Sequence, residues 1–124
     1  MSRRDGGGLQ VVLVIGLSLG ALCAAAAAPA ADATRAQDLA KDSGCFKCHA
    51  VDKKKDGPAF RDTAAKYRGE TDAEKKLIYH VTSGEKVKFD DGHEEEHKKV
   101  KTKDPNETRN LVQWILDLPG GTKR

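Results

Sequence analysis

An all-α domain of about four helices is the architecture this sequence predicts. Three observations carry that expectation. Leu111, Trp114, Ile115 and Leu118 stand at i, i+3, i+4 and i+7, which is one face of a helix. Thr71-Asp72-Ala73-Glu74 has the form of a capping box ahead of a second apolar-periodic stretch. No segment shows the alternation of a half-buried strand, and no internal repeat is visible.

The first thirty residues read as a secretory signal rather than as part of the fold. Arg3 and Arg4 form a basic start, and Leu9 to Leu22 is an apolar run. Ala28-Pro29-Ala30 then fits a small-residue cleavage site. The run is 14 residues long, whereas a bilayer span needs roughly 20. Removal is therefore expected over a retained membrane anchor. Cys23 follows Leu22, which is too large for a lipoprotein cleavage signal, and Asp5-Gly6-Gly7 lacks the apolar continuation of a twin-arginine signal. The expected organisation is a cleaved segment, 1–30, and one domain, 31–124.

Within that domain, residues 31–34 read as a frayed start. Arg35 to Ser43 has Ala36, Leu39, Ala40 and Ser43 at helical spacing, a face of small residues that Gly44 ends. Lys53-Lys54-Lys55-Asp56-Gly57 reads as a charged turn. Gly57-Pro58-Ala59-Phe60 opens a short helix through Ala64, Ala65 and Tyr67, closed by Gly69. The third helix runs from the capping box to about Thr82, with Ala73, Leu77, Ile78 and Val81 inward and Gly84 as its C′ residue. Residues 85–103 are a polar loop. Asp104 as N-cap and Pro105 at N1 start the last helix, and Pro119-Gly120-Gly121 stops it.

Charge narrows the partners. The whole chain has 22 basic and 19 acidic residues. Loss of residues 1–30 removes Arg3, Arg4 and Asp5, leaving 20 against 18. This near-neutral balance gives no basis for nucleic-acid binding, which needs a strong basic excess or stripe. Six aromatic residues make a thin core for so short a domain. Domains of that size usually need a staple, a metal or a cofactor.

Cys45-Phe46-Lys47-Cys48-His49 supplies one. Two thiols three positions apart can each add across a haem vinyl group, and the adjoining imidazole can then coordinate the iron. C-x-x-C-H is the signature of covalent c-type haem attachment. A disulfide or half a zinc site is the plain alternative. The immediate histidine, the export signal and the thin core argue against it, and a redox dithiol would more often sit in a βαβ setting.

With these residues in view, the chain resembles a class I cytochrome c of the small bacterial c-551 (c8) type, over essentially the whole of 31–124. Gly44-Cys45-Phe46-Lys47-Cys48-His49-Ala50 resembles that family's haem segment, and Gly57-Pro58-Ala59-Phe60 the segment that follows it. Leu111 to Leu118, with Trp114, resembles the C-terminal helix that crosses the N-terminal one. The resemblance implies one covalent haem c on Cys45 and Cys48, with His49 as proximal iron ligand. It also implies that the Pro58 carbonyl accepts a hydrogen bond from His49, which orients a ligand and raises its basicity.

The sixth ligand departs from the family. Its usual methionine is missing, for the only methionine is Met1. The corresponding loop holds His93 and His97, which lie twenty-one and seventeen residues before Trp114. His97 falls nearer the family's ligand position and is the first candidate, with His93 the alternative. His80 lies within a helix, where packing or surface roles are commoner. Lys98 or Lys99 would have to ligate as a free amine, against an ordinary pKa of about 10.4.

His93-Glu94-Glu95-Glu96-His97 also matches the H-E-x-x-H pattern of zinc hydrolases, which needs both histidines on one helix face. Three consecutive glutamates make a chance match easy. A zinc site of Cys45, Cys48, His93 and His97 has far too long an interval between its pairs.

The functional expectation is a periplasmic electron carrier, not an enzyme, with one haem c and bis-histidine ligation. Thioether ligation raises a haem potential, so imidazole in its place implies a lower one than in methionine-ligated relatives. The resemblance implies redox proteins as partners, among them multihaem cytochromes and membrane-bound reductases or oxidases. Lys47 and Lys53 to Lys55 are available to steer acidic partners. A haem-based redox or gas sensor with a displaceable distal ligand is the alternative, and a zinc hydrolase through His93 and His97 the minor one.

Overall fold

The computed structural model describes residues 29–120. The expected export segment lies almost wholly outside them. Four α-helices form the frame: α1 (Ala33–Asp42), α2 (Phe60–Tyr67), α3 (Ala73–Ser83) and α4 (Pro105–Asp117). One 3-10 turn, Cys45–Lys47, follows α1. Among the described residues no helix is long and apolar enough to cross a membrane.

The helix α4 is the hub, packing on α1, α2 and α3. Its apolar face buries Leu111, Val112, Trp114 and Ile115, with Leu118 only half-buried at its end. Asp104 caps it by accepting from the Asn106 amide at 2.8 Å, with Pro105 in the first turn. Ala36 and Ala40 are fully buried where α1 joins the core formed by α4. A side chain without branches lets two helix backbones approach closely there. Asn110 locks the pair from the side. It accepts from the Asp32 amide at 2.8 Å and donates to the Asp32 carbonyl at 2.9 Å.

Three local expectations need correction. The start of α1 is not frayed: Asp32 is its N-cap and accepts from the Arg35 amide, so helix begins at Ala33. The capping box at Thr71 does not form. The N-cap of α3 is Asp72, with no side-chain capping bond. Glu74 is drawn instead to α4, where it accepts from Arg109 Nε at 3.0 Å and Gln113 Nε2 at 3.1 Å. Tertiary partners have outcompeted the local cap.

Residues 85–103, the third case, are not all loop. Two antiparallel strands, β1 (Lys86–Lys88) and β2 (Glu94–Glu96), pair Lys86 with Glu96 and Lys88 with Glu94. Lysines opposite glutamates favour this register. Gly92 takes φ +91° at the turn, and its amide donates to the Phe89 carbonyl. Strands of three residues are too short for alternation to announce them.

Candidate haem site

Gly44 adopts φ +78°, the left-handed conformation glycine supplies cheaply, and turns the chain out of α1. The amides of Cys48 and His49 then donate to the Cys45 carbonyl at 3.2 and 2.9 Å. C-x-x-C-H is thereby wound into a single tight turn. Cys45 and Cys48 are both free thiols and half-buried. Burial pushes the Cys45 thiol above its ordinary pKa.

His49 Nδ1 donates to the Pro58 carbonyl at 2.7 Å. The proton is therefore on Nδ1, and Nε2 keeps the lone pair an iron ligand needs. The ring is stacked on Phe60, with centroids 5.2 Å apart and planes 19° apart. Phe60 in turn meets Phe46 and Trp114 edge-on, at 5.9 and 5.7 Å. A continuous aromatic path thus seats the imidazole in the core. Burial lowers the His49 pKa, against the opposing pull of the Pro58 carbonyl. Neutral imidazole is the ligating form. Gly57, quoted above only as part of a segment, proves to be a contact: a Cβ there would overlap Cε1 of His49.

His97 follows directly on β2, and its amide donates to the Glu85 carbonyl across the base of the hairpin. Its ring lies 6.2 Å from that of His49, centroid to centroid. Its Nδ1 is buried and has no hydrogen-bond partner. Burial first, and then the neighbouring His80 and His49, push its pKa down to about 4.

The structure does not bring His93 into this group. It stands exposed at the hairpin turn, stacked on Phe89 at 4.3 Å. Its Nδ1 pairs with the Asp91 carboxylate, and its Nε2 lies 3.4 Å from Glu95. The zinc-hydrolase reading loses its geometric basis as well, because Glu94 to Glu96 form a strand and not a helix. Among the described residues no group of three or more His, Cys, Asp or Glu side chains is arranged to hold a metal ion.

His80 belongs to the group by contact. Its ring is 4.1 Å from that of His97, and its Nδ1 donates to the Glu85 carboxylate. Sequence reasoning had no signal for Glu85, whose role depends on the hairpin closing.

The residues fit a covalent haem: two thiols on one turn, and a neighbouring imidazole of fixed tautomer backed by aromatic packing. When bound, the haem supplies an iron centre that exchanges one electron between its ferrous and ferric states.

Comparison with known proteins agrees. The cytochrome c family model matches residues 33–119. The class 1 cytochrome MtoD from Sideroxydans lithotrophicus ES-1 is 59% identical in sequence, with a TM-score of 0.70, covering 73% of this chain and 100% of that one. Cytochrome c-551 of Pseudomonas denitrificans is 34% identical over 82 residues, 66% of this chain and 95% of the relative. Cytochrome c-551 of Pseudomonas aeruginosa is 46% identical over a shorter stretch, 37% of this chain and 44% of the relative. With the helical frame and the haem turn already described, these likenesses establish that the chain belongs to the cytochrome c family, as a small class I electron carrier with one covalent haem c.

Proposed function

We propose that this carrier works in the periplasm with its iron held between two histidines, His49 on the proximal side and His97 on the distal side. Cys45 and Cys48 supply the thioether links, and Pro58 orients His49. Residues 1–30 direct export and are removed, leaving 31–124 as the working protein.

One observation carries the ligand assignment: the 6.2 Å between the His49 and His97 ring centres. Metal–imidazole bonds of about 2.0 Å, extended by about 1.1 Å to each ring centre, call for a separation of about 6 Å. His97 is also half-buried at this site. Its pKa near 4 keeps the imidazole neutral and able to ligate at physiological pH.

Held by His49 and His97, the iron would have no position open for a substrate, which suits electron transfer. Without a thioether to favour the ferrous state, the potential falls below that of methionine-ligated relatives. Such a potential suits exchange with redox proteins of similar poise, such as multihaem cytochromes or membrane-bound reductases and oxidases.

Visible and near-infrared spectroscopy of haem-loaded wild type beside His97→Ala tests the assignment. Low-spin bis-imidazole bands in wild type and their loss in the variant are expected. An unchanged spectrum in His97→Ala removes His97 from the iron.

A further inference from the structure

The two imidazoles of the site are held very differently. His49 is fixed twice, by its hydrogen bond to Pro58 and by its stack on Phe60. His97 has neither restraint. Its Nδ1 has no partner, and apart from His49 the one aromatic ring packed on it among the described residues is that of His80. His80 is itself anchored, because its Nδ1 donates to the Glu85 carboxylate.

Glu85 therefore acts on His97 from two directions. Its main-chain carbonyl accepts from the His97 amide at 2.9 Å, and its side chain grips the His80 ring, which meets the His97 ring at 4.1 Å with the planes tilted by 45°. The segment beneath is tied to the end of α3. Gly84 ends α3 at φ +70°, and the Val100 amide donates to the Val81 carbonyl at 2.9 Å, tying the last turn of α3 to the chain beyond His97.

We propose that His80, gripped by Glu85, is a positioning residue for His97: it fixes the plane of that imidazole and holds it against displacement. The inference rests on the reading that His97 is the distal ligand. A surface packing histidine would need no carboxylate from the residue that also binds the His97 backbone. Mutation of partners that orient a metal ligand commonly costs about 10- to 100-fold in metal affinity or activity.

The test uses the full haem-loaded protein in its ferric form, with EPR g-values and the rate of cyanide binding as readouts. His80→Ala is expected to remain low-spin, with shifted g-values and cyanide binding about tenfold faster, the lower end of that range. Glu85→Ala, which keeps the main-chain bond to His97, is expected to move both readouts in the same direction. It also decides the matter if His80→Ala fails to load haem. Unchanged g-values and cyanide rates in both variants, with unchanged far-UV circular dichroism, overturn the inference. His97→Ala separates the two readings. Loss of the low-spin signal there with no effect at His80 sinks the positioning role alone. Retention of that signal in His97→Ala and its loss in His80→Ala would overturn both, because His80 would then be the ligand.

Discussion

Gly57 lies flat against His49: a Cβ on the glycine would overlap Cε1 and stand 2.8 Å from Nδ1 and 2.9 Å from Nε2. The contact is with all three ring atoms, so no small rotation relieves it. Gly57→Ala must push the imidazole off Phe60 or off the Pro58 carbonyl. Overpacking of this kind costs about 1–3 kcal/mol. The expected outcome is a lower yield of haem-loaded protein and a lower denaturant midpoint for what is recovered. A variant with wild-type yield and midpoint would show that the loop yields freely.

Ser43 ties α1 to the segment leading from His97 to α4. Its hydroxyl oxygen accepts from the Lys101 amide at 2.9 Å, and the residue is 3% exposed. Ser43→Ala leaves that amide without its partner, at about 1–3 kcal/mol. Guanidinium unfolding of the haem-loaded protein should register the loss with an unchanged m-value.

The seam between α1 and α4 has no room for branches. Ala36 and Ala40 are both 0% exposed. Ala40→Val should destabilise by about 1–3 kcal/mol through overpacking. Ala33→Val, at an exposed position of the same helix, is the control, where a change of under about 0.5 kcal/mol is expected. Thermal or denaturant unfolding of the two variants compares a sealed position with an open one. Equal losses at both positions would trace the effect to helix propensity and not to the seam.

The pH response of the hairpin follows from Asp91 and His93. The hydrogen bond to Asp91 raises the His93 pKa, and the bonds from His93 lower that of Asp91. A raised histidine stabilises below its unfolded pKa, and that contribution is lost as pH rises through the folded value. A lowered carboxylate stabilises above its unfolded pKa, and that contribution is lost as pH falls through the folded value. The pair therefore holds between the folded pKa of Asp91 and that of His93. NMR titration should find His93 above the ordinary 6.5 or so, and Asp91→Asn should return it towards that value. A titration unmoved by Asp91→Asn would sink the pairing.

His93 also offers a negative control for the iron. With its ring on Phe89 and its nitrogens facing carboxylates, His93→Ala should leave the visible and near-infrared spectra of the haem-loaded protein unchanged. Loss of the low-spin bands in that variant would transfer the distal assignment to His93.

Much of this molecule could be read in its residues, for physical reasons that differ by region. The α4 stripe was legible because Leu111, Trp114 and Ile115 obey helical period and all are buried. The cysteine turn was legible because its chemistry demands a short fixed spacing. Other features depend on partners distant in the chain. Glu74 had two available uses, a local cap or a contact with Arg109 and Gln113, and only the packed helices select between them. The hairpin was hidden by its brevity, although Asp91-Gly92 is a turn signal once strands are suspected. The proximity of His80 to His97 exists only because that hairpin folds back on the end of α3.

On the proposal that His97 is the second iron ligand, the two sides of the haem site are built to different depths. His49 is packed through Phe60 and Trp114 onto the core, while His97 leaves a hairpin whose charged residues are exposed. Elements with few buried contacts open without the rest of the fold. How long His97 stays in place is then set largely by that hairpin and its ties to the end of α3.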